Sequence, residues 1–171
     1  ILFYEAKKYF ANILWPYAKL IDKALAKAAA LDLQMIATAH GIIWRSHIQE
    51  IIAKYAAWGK GVNGSSVVIA YDTMWGATEQ MARAVLEGVV SAGSDAVLLR
   101  MNETPNSTVV ADLFEAGGMI LGSSTLNSGM LPTMGSLLVY LKGLNPTGKK
   151  AAVFGTYGWA GGAQKDMEAL L

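Results

Sequence analysis

The sequence predicts an α/β protein, a doubly wound parallel sheet preceded by a mainly helical segment. Three observations carry this. From Val67 onward, apolar runs at 67–71, 96–101, 118–122 and 150–155 alternate with amphipathic stretches at 77–92, 107–115, 131–142 and 162–171. Hydrophobic residues make up 53% of the chain and charged residues 16%, as expected where parallel strands are covered on both faces. Three of the four strands also run directly into loops of hydroxyl residues and glycine.

Residues 1–58 read as Ala-rich helix with interruptions. Glu5 to Ala30 carries Phe10, Ile13, Leu14, Tyr17, Leu20, Ile21, Ala24, Leu25 and Ala28 at near-helical spacing, and Pro16 kinks or breaks the helix about Trp15. Leu33 to Ala37 reads as a short buried strand, followed by the turn Thr38-Ala39-His40-Gly41. A second helix is expected from Ser46 to Trp58, with Ile48, Ile51, Ile52, Tyr55 and Ala56 on one face. His47 opens that helix and reads as solvated. Residues 59–66 are a linker by composition. Gly59 and Gly64 stand at P-loop spacing, but the Lys is missing and the segment precedes a strand, which excludes that motif. The expected domains are therefore 1–58, a linker at 59–66, and 67–171.

Composition excludes several functions. The formal net charge is +1, from 14 basic and 13 acidic side chains, with no basic block, so nucleic acid is not an expected partner. No apolar run reaches the roughly 18–20 residues of a membrane span. Glu5, Lys7, Lys8 and Lys19 interrupt the apolar start, which reads as a packed helix and not a signal peptide. With no cysteine there is no disulfide, Fe–S cluster or thiol catalysis. The sequons at Asn63, Asn102 and Asn106 are taken as chance, and the expected compartment is the cytoplasm. The chain starts at Ile1 and stops at Leu171 inside a predicted helix, so it reads as an internal piece lacking a last strand and helix.

The loops carry the chemistry. Thr73-Met74-Trp75-Gly76-Ala77-Thr78 joins the first strand of the alternating region to its helix. Unpaired N–H groups at a helix N-terminus carry roughly half a positive charge, and the Thr73 and Thr78 hydroxyls can add donors. The absence of Lys or Arg favours a phosphate monoester over a triphosphate, and no G-x-G-x-x-G supports a dinucleotide. Taken alone, an ordinary strand–turn–helix with Thr78 as N-cap fits equally well. The second loop, Gly122 to Pro132, offers Ser124, Thr125 and Asn127 to a heteroaromatic edge, and Gly129 permits close backbone approach. The third places Tyr157 and Trp159 among Gly155, Gly158, Gly161 and Gly162, where an aromatic ring can stack on a flat ligand or simply cap the core. Phosphate and flat ring on consecutive strand ends point to a flavin.

Asp72-Thr73-Met74-Trp75-Gly76-Ala77-Thr78-Glu79, Gly122 to Pro132 and Gly155 to Gly162 resemble the flavodoxin-like domain of flavodiiron proteins. Tyr9 to Tyr17 and Ala39-His40-Gly41-Ile42-Ile43-Trp44-Arg45 resemble the end of that family's β-lactamase-like domain, in family order. The resemblance implies FMN, with its phosphate on Thr73 to Thr78 and its ring among Ser124–Gly129 and Thr156–Trp159, Gly162 closing the last loop. It implies that His40 is the last ligand of a non-haem diiron centre. It further implies reduction of O₂ to water or NO to N₂O, a rubredoxin-like donor or reduced cofactor, and a head-to-tail homodimer. Ser124 stands where the family usually has Pro, and Thr38-Ala39 replaces a commoner Pro-Ser or Pro-Asp. The remaining iron ligands that the resemblance implies have no counterpart within these 171 residues. Without the family, a lone His in a turn is an ordinary structural residue, and a flavodoxin-like electron carrier or a flavin-free interaction domain remain alternatives.

Overall fold

The structure, a computed structural model, describes residues 1–61 and 63–171; Val62 of the expected linker lies outside the described residues. The chain divides into two compact units, Ile1–Val62 and Asn63–Leu171.

In the first unit the single interrupted helix of the sequence reading is four pieces. Helix α1 (Leu2–Tyr9) passes into a π-turn at Phe10–Leu14, a 3₁₀ turn at Trp15–Tyr17 and then α2 (Ala18–Ala28). Pro16 has no N–H to give and its ring crowds the carbonyl four residues earlier, so the turns on either side change pitch to accommodate it. The Asn12 side-chain amide donates to the Lys8 carbonyl at 2.7 Å within the distorted stretch. The expected strand at 33–37 is shorter and more exposed than predicted. Only Ile36–Ala37 (β1) is extended, and it pairs antiparallel with Ile43–Trp44 (β2). Gln34 and Met35 face solvent, so the apolar run has no neighbouring sheet to bury it. The Thr38 hydroxyl lies 2.6 Å from the His40 carbonyl and 3.2 Å from that of Ile42, closing the turn between the two strands. Helix α3 (Ile48–Gly59) supplies Tyr55 and Trp58, whose rings meet buried Phe10 at 5.3 and 5.5 Å.

The second unit follows the predicted alternation. Strands β3 (Val67–Asp72), β4 (Ala96–Arg100), β5 (Gly118–Ser124) and β6 (Lys150–Thr156) form one parallel sheet in the order β4-β3-β5-β6. Helices α4 (Ala77–Ser91), α5 (Asn106–Glu115), α6 (Pro132–Leu144) and α7 (Ala163–Glu168) connect or follow them. Side chains alternate across each strand. Ile69, Tyr71 and Phe154 turn to one face, where Ala82, Val85, Leu86 and Val89 of α4 cover them. Helices α5 and α6 contribute buried Val110, Leu113, Phe114, Met134, Leu137 and Leu138, and both pack on β3. Gly122 lies beside Phe154 in register, and a Cβ there would run into the Phe154 ring. The ring thus covers bare backbone. Because β4 and β5 flank β3 on opposite sides, the order in which the strands are laid down reverses there, and the carboxyl ends of β3 and β5 form the switch point at which open α/β sheets bind ligands.

At the opposite end of the sheet, the Lys149 ammonium donates to the carbonyls of Phe114 and Ala116, at 2.8 and 2.6 Å, and caps α5. Burial lowers its pKa to about 8, with Glu115 pulling the other way. Between pH 8 and 10 the folded chain therefore holds fewer protons on this group than the unfolded chain, and stability contributed here rises with pH. Below pH 8 both forms are charged and the burial cost is constant. Denaturant unfolding at pH 7.5 and 9.5 is expected to show the wild type gaining on Lys149→Met across that interval.

Candidate functional site

The phosphate-type loop is built by β3 and α4. β3 ends at Asp72, which is buried, and Asp72 Oδ1 accepts the Thr73 N–H at 2.8 Å. The other carboxylate oxygen accepts from the Thr133 hydroxyl of α6 at 2.6 Å. Thr73 Oγ1 in turn accepts the Gly76 N–H at 3.0 Å. Gly76 sits at φ +88°, a left-handed conformation that glycine adopts freely, and it, not Thr78, is the residue before the helix. Gln80 is the first to donate back into the helix, to the Gly76 carbonyl. The N–H groups of Trp75, Ala77, Thr78 and Glu79 have no partner among the described residues. They form a short row of unpaired donors at the positive end of α4.

Three hydroxyls, two from the ends of β5 and β6 and one from the first turn of α4, meet beneath this row. Thr78 Oγ1 lies 2.8 Å from Ser124 Oγ and 2.7 Å from Thr156 Oγ1, and the latter two are 3.4 Å apart. Thr78 is fully buried and Ser124 is 7% exposed. Both hydroxyls were expected to face a ligand. They face each other instead, because the β5 and β6 ends converge on the first turn of α4 and each hydroxyl saturates its neighbours.

The second loop is a tight hairpin. Leu126 and Gly129 exchange two backbone hydrogen bonds of 2.9 Å, with Asn127 and Ser128 at its tip at φ 50° and 63°. Left-handed backbone at both tip positions is the geometry of a type I′ turn. The tip is exposed, whereas Ser123 at its base is buried and accepts the Leu131 N–H at 2.9 Å. The third loop locks onto it. Thr125 N–H donates to the Thr156 carbonyl at 2.8 Å, and Met130 N–H to Asp166 Oδ2 at 3.2 Å. The Gly162 Cα rests against the Ser128 carbonyl so closely that a Cβ would overlap it. Around this frame Trp75, Tyr157 and Trp159 are 91%, 63% and 98% exposed, with Met74 and Gly158 exposed beside them. Large aromatic faces left in water beside a row of unpaired N–H groups suit a flat ligand carrying a phosphate.

Most of the candidate residues therefore converge on one end of the sheet: Thr73 to Thr78, Ser124, Thr125, Asn127, Gly129, Thr156, Tyr157, Gly158, Trp159 and Gly162. Asp72, Ser123, Thr133 and Asp166 brace them, and none was singled out from sequence. Asp72 had a signal, a carboxylate closing an apolar strand.

Residues 69–171 match the family described as Flavodoxin. The chain belongs to the flavodoxin family. A nitric oxide reductase from Moorella thermoacetica is 43% identical over 169 residues, covering 98% of this chain and 42% of that protein. Among solved structures, the rubredoxin oxygen:oxidoreductase of Desulfovibrio gigas superposes with a TM-score of 0.89 at 34% identity, over 96% of this chain and 42% of the other. The flavodiiron protein from Giardia intestinalis gives 0.90 at 35% identity, over 96% and 41%. The resemblance carried by the loop motifs thus extends beyond the flavodoxin unit. The chain spans about two fifths of the length of these relatives.

The expected metal ligand lies on the turn where the sequence placed it. His40 is exposed on the turn between β1 and β2, its ring 5.7 Å from that of Tyr9. Among the described residues no group of three or more His, Cys, Asp or Glu is placed to hold a metal ion. One imidazole cannot hold a diiron site, so these residues by themselves do not fit it. His47 pairs with Glu50 at 2.9 Å on an exposed helix start, where such a pair is worth little.

Proposed function

We propose that this chain binds FMN and serves as the electron-relay part of an oxidoreductase that reduces NO to N₂O, O₂ to water, or both, at a non-haem diiron centre completed by other segments of a longer polypeptide. The observation that carries the reading is the row of unpaired N–H groups from Trp75 to Glu79 beside the exposed rings of Trp75, Tyr157 and Trp159. Bound FMN would supply the redox chemistry, taking electrons from a donor and passing them on. The chain supplies position. The α4 N-terminus receives the phosphate dianion through backbone dipoles, without a formal cation. Thr125, Asn127 and Gly129 meet the polar edge of the ring, and Tyr157 or Trp159 covers its face and excludes water.

In the same reading residues 1–58 close a metallo-β-lactamase-like domain, with His40 as its last iron ligand, and residues 67–171 are the flavin domain. The donor is a rubredoxin-like protein or a reduced cofactor. A head-to-tail homodimer in the cytoplasm brings one subunit's flavin near the partner's iron, with neither nucleic acid nor membrane as partner. No helix among the described residues is long and apolar enough to cross a membrane. The second reading, an electron carrier without iron chemistry, is the alternative that the same experiment separates from the first.

Titration of purified apoprotein with FMN is expected to saturate at one flavin per chain. The reduced holoprotein is then expected to convert NO to N₂O, or O₂ to water without release of peroxide, only when iron is present. Absence of flavin uptake overturns the whole reading; flavin uptake with no turnover of either gas by the iron-loaded protein leaves the carrier.

A further inference from the structure

We infer that Ser124 is a positioning residue for the phosphate half of the site, acting on the ligand only through Met74 and Thr78. This rests on the FMN reading above. Ser124 closes β5, and its hydroxyl lies at the meeting point of three segments. Ser124 Oγ accepts the Met74 N–H at 3.3 Å and pairs with Thr78 Oγ1 at 2.8 Å. Thr156 Oγ1 completes the set, 2.7 Å from Thr78 Oγ1. A hydroxyl has one hydrogen and two lone pairs. Three hydroxyls and one N–H therefore close into a network in which every hydrogen has an acceptor.

Of the unpaired donors, Trp75 and Ala77 lie between the two residues that Ser124 holds, and Glu79 follows directly after them. Met74 immediately precedes Trp75, and Thr78 carries one of the free N–H groups itself. Holding both ends fixes the direction of the intervening N–H groups before any anion arrives. Ser124 is buried, and its hydroxyl points to the loop and α4, so it does not address the ring as its place in the second loop first suggested. Its removal should therefore be felt by a ligand's phosphate and not by its ring. The loss of a neutral hydrogen bond of this kind corresponds to about a tenfold change in affinity.

The test compares FMN with riboflavin, which has the same ring and no phosphate. Both are titrated by flavin fluorescence into the purified wild-type protein and Ser124→Ala. The expected result is FMN binding weakened about tenfold and riboflavin binding within about twofold of wild type. Thr156→Val, which removes one of the three hydroxyls at nearly constant shape, should show the same selectivity, and Thr156→Ser, which keeps the hydroxyl, should restore it. This pair decides the matter if Ser124→Ala does not fold. Equal losses for both flavins would make the network a general brace and overturn the inference, as would no loss for either. A wild type that binds FMN alongside an unaffected variant overturns this inference alone. A wild type that binds neither flavin overturns the flavin reading and this inference with it.

Discussion

Gly162→Ala is expected to abolish FMN uptake and to destabilise the flavodoxin unit by about 1–3 kcal/mol, the usual range for forcing extra volume into a packed site. The added methyl group would overlap the Ser128 carbonyl and approach the Gly129 N–H, both of them backbone. A flexible side chain could swing aside; a hairpin closed by two hydrogen bonds between Leu126 and Gly129 cannot. The second and third loops would have to separate, which would break the Met130 to Asp166 contact and open the gap meant for the ring. Backbone strain plays no part, since Gly162 is extended at φ 172°. Gly158→Ala is the control: a Cβ there meets nothing within 4 Å, and stability should not change. Denaturant unfolding and FMN titration of the two variants separate the effects.

The second large effect is expected at Asp72. Its carboxylate joins the phosphate loop to α6, accepting from the Thr73 N–H and the Thr133 hydroxyl. Asp72→Ala leaves both donors unpaired in a buried setting, at a cost of about 2–4 kcal/mol. FMN affinity should fall as well, because Thr73 also holds Gly76, the residue that starts α4. Asp72→Asn keeps the carbonyl oxygen for Thr73 and can donate to Thr133, so it should cost less than about 1 kcal/mol. It also removes a negative charge from beneath the proposed phosphate site. Its FMN affinity is expected to equal or exceed that of the wild type. If the alanine and asparagine variants behave alike in unfolding, the hydrogen-bond account of Asp72 is wrong.

The parallel sheet was legible because its signals are local. Each strand is an apolar run, three of the four end where hydroxyl residues and glycine begin, and those three end at Asp72, Ser124 and Thr156, within two residues of the expected limits. Of the β1–β2 ribbon only β1, inside the strand expected at 33–37, was legible; β2 was not, because a two-residue strand has no periodicity to read and Ile43-Trp44 is indistinguishable from the start of a helix. The loops could be placed at the site from sequence, but the direction of their side chains could not. Thr78 and Ser124 looked like open donors because nothing in a linear reading brings them within 2.8 Å of each other. Asp166 lies on a predicted helix with no sign that it reaches back to Met130.

The hydroxyl cluster also constrains the order of assembly. Thr78 reaches Ser124 across 46 residues of chain and Thr156 across 78, so its members cannot meet until β5 and then β6 have docked. Such distant pairings are the slow part of forming a parallel sheet. A nascent or partly unfolded chain therefore has the α4 N-terminus but not the frame that aims it, and on the FMN reading cofactor capture would follow the docking of β6. Flavin incorporation would then report that β5 and β6 are in place, and each molecule that takes up FMN would be held in the folded state by mass action.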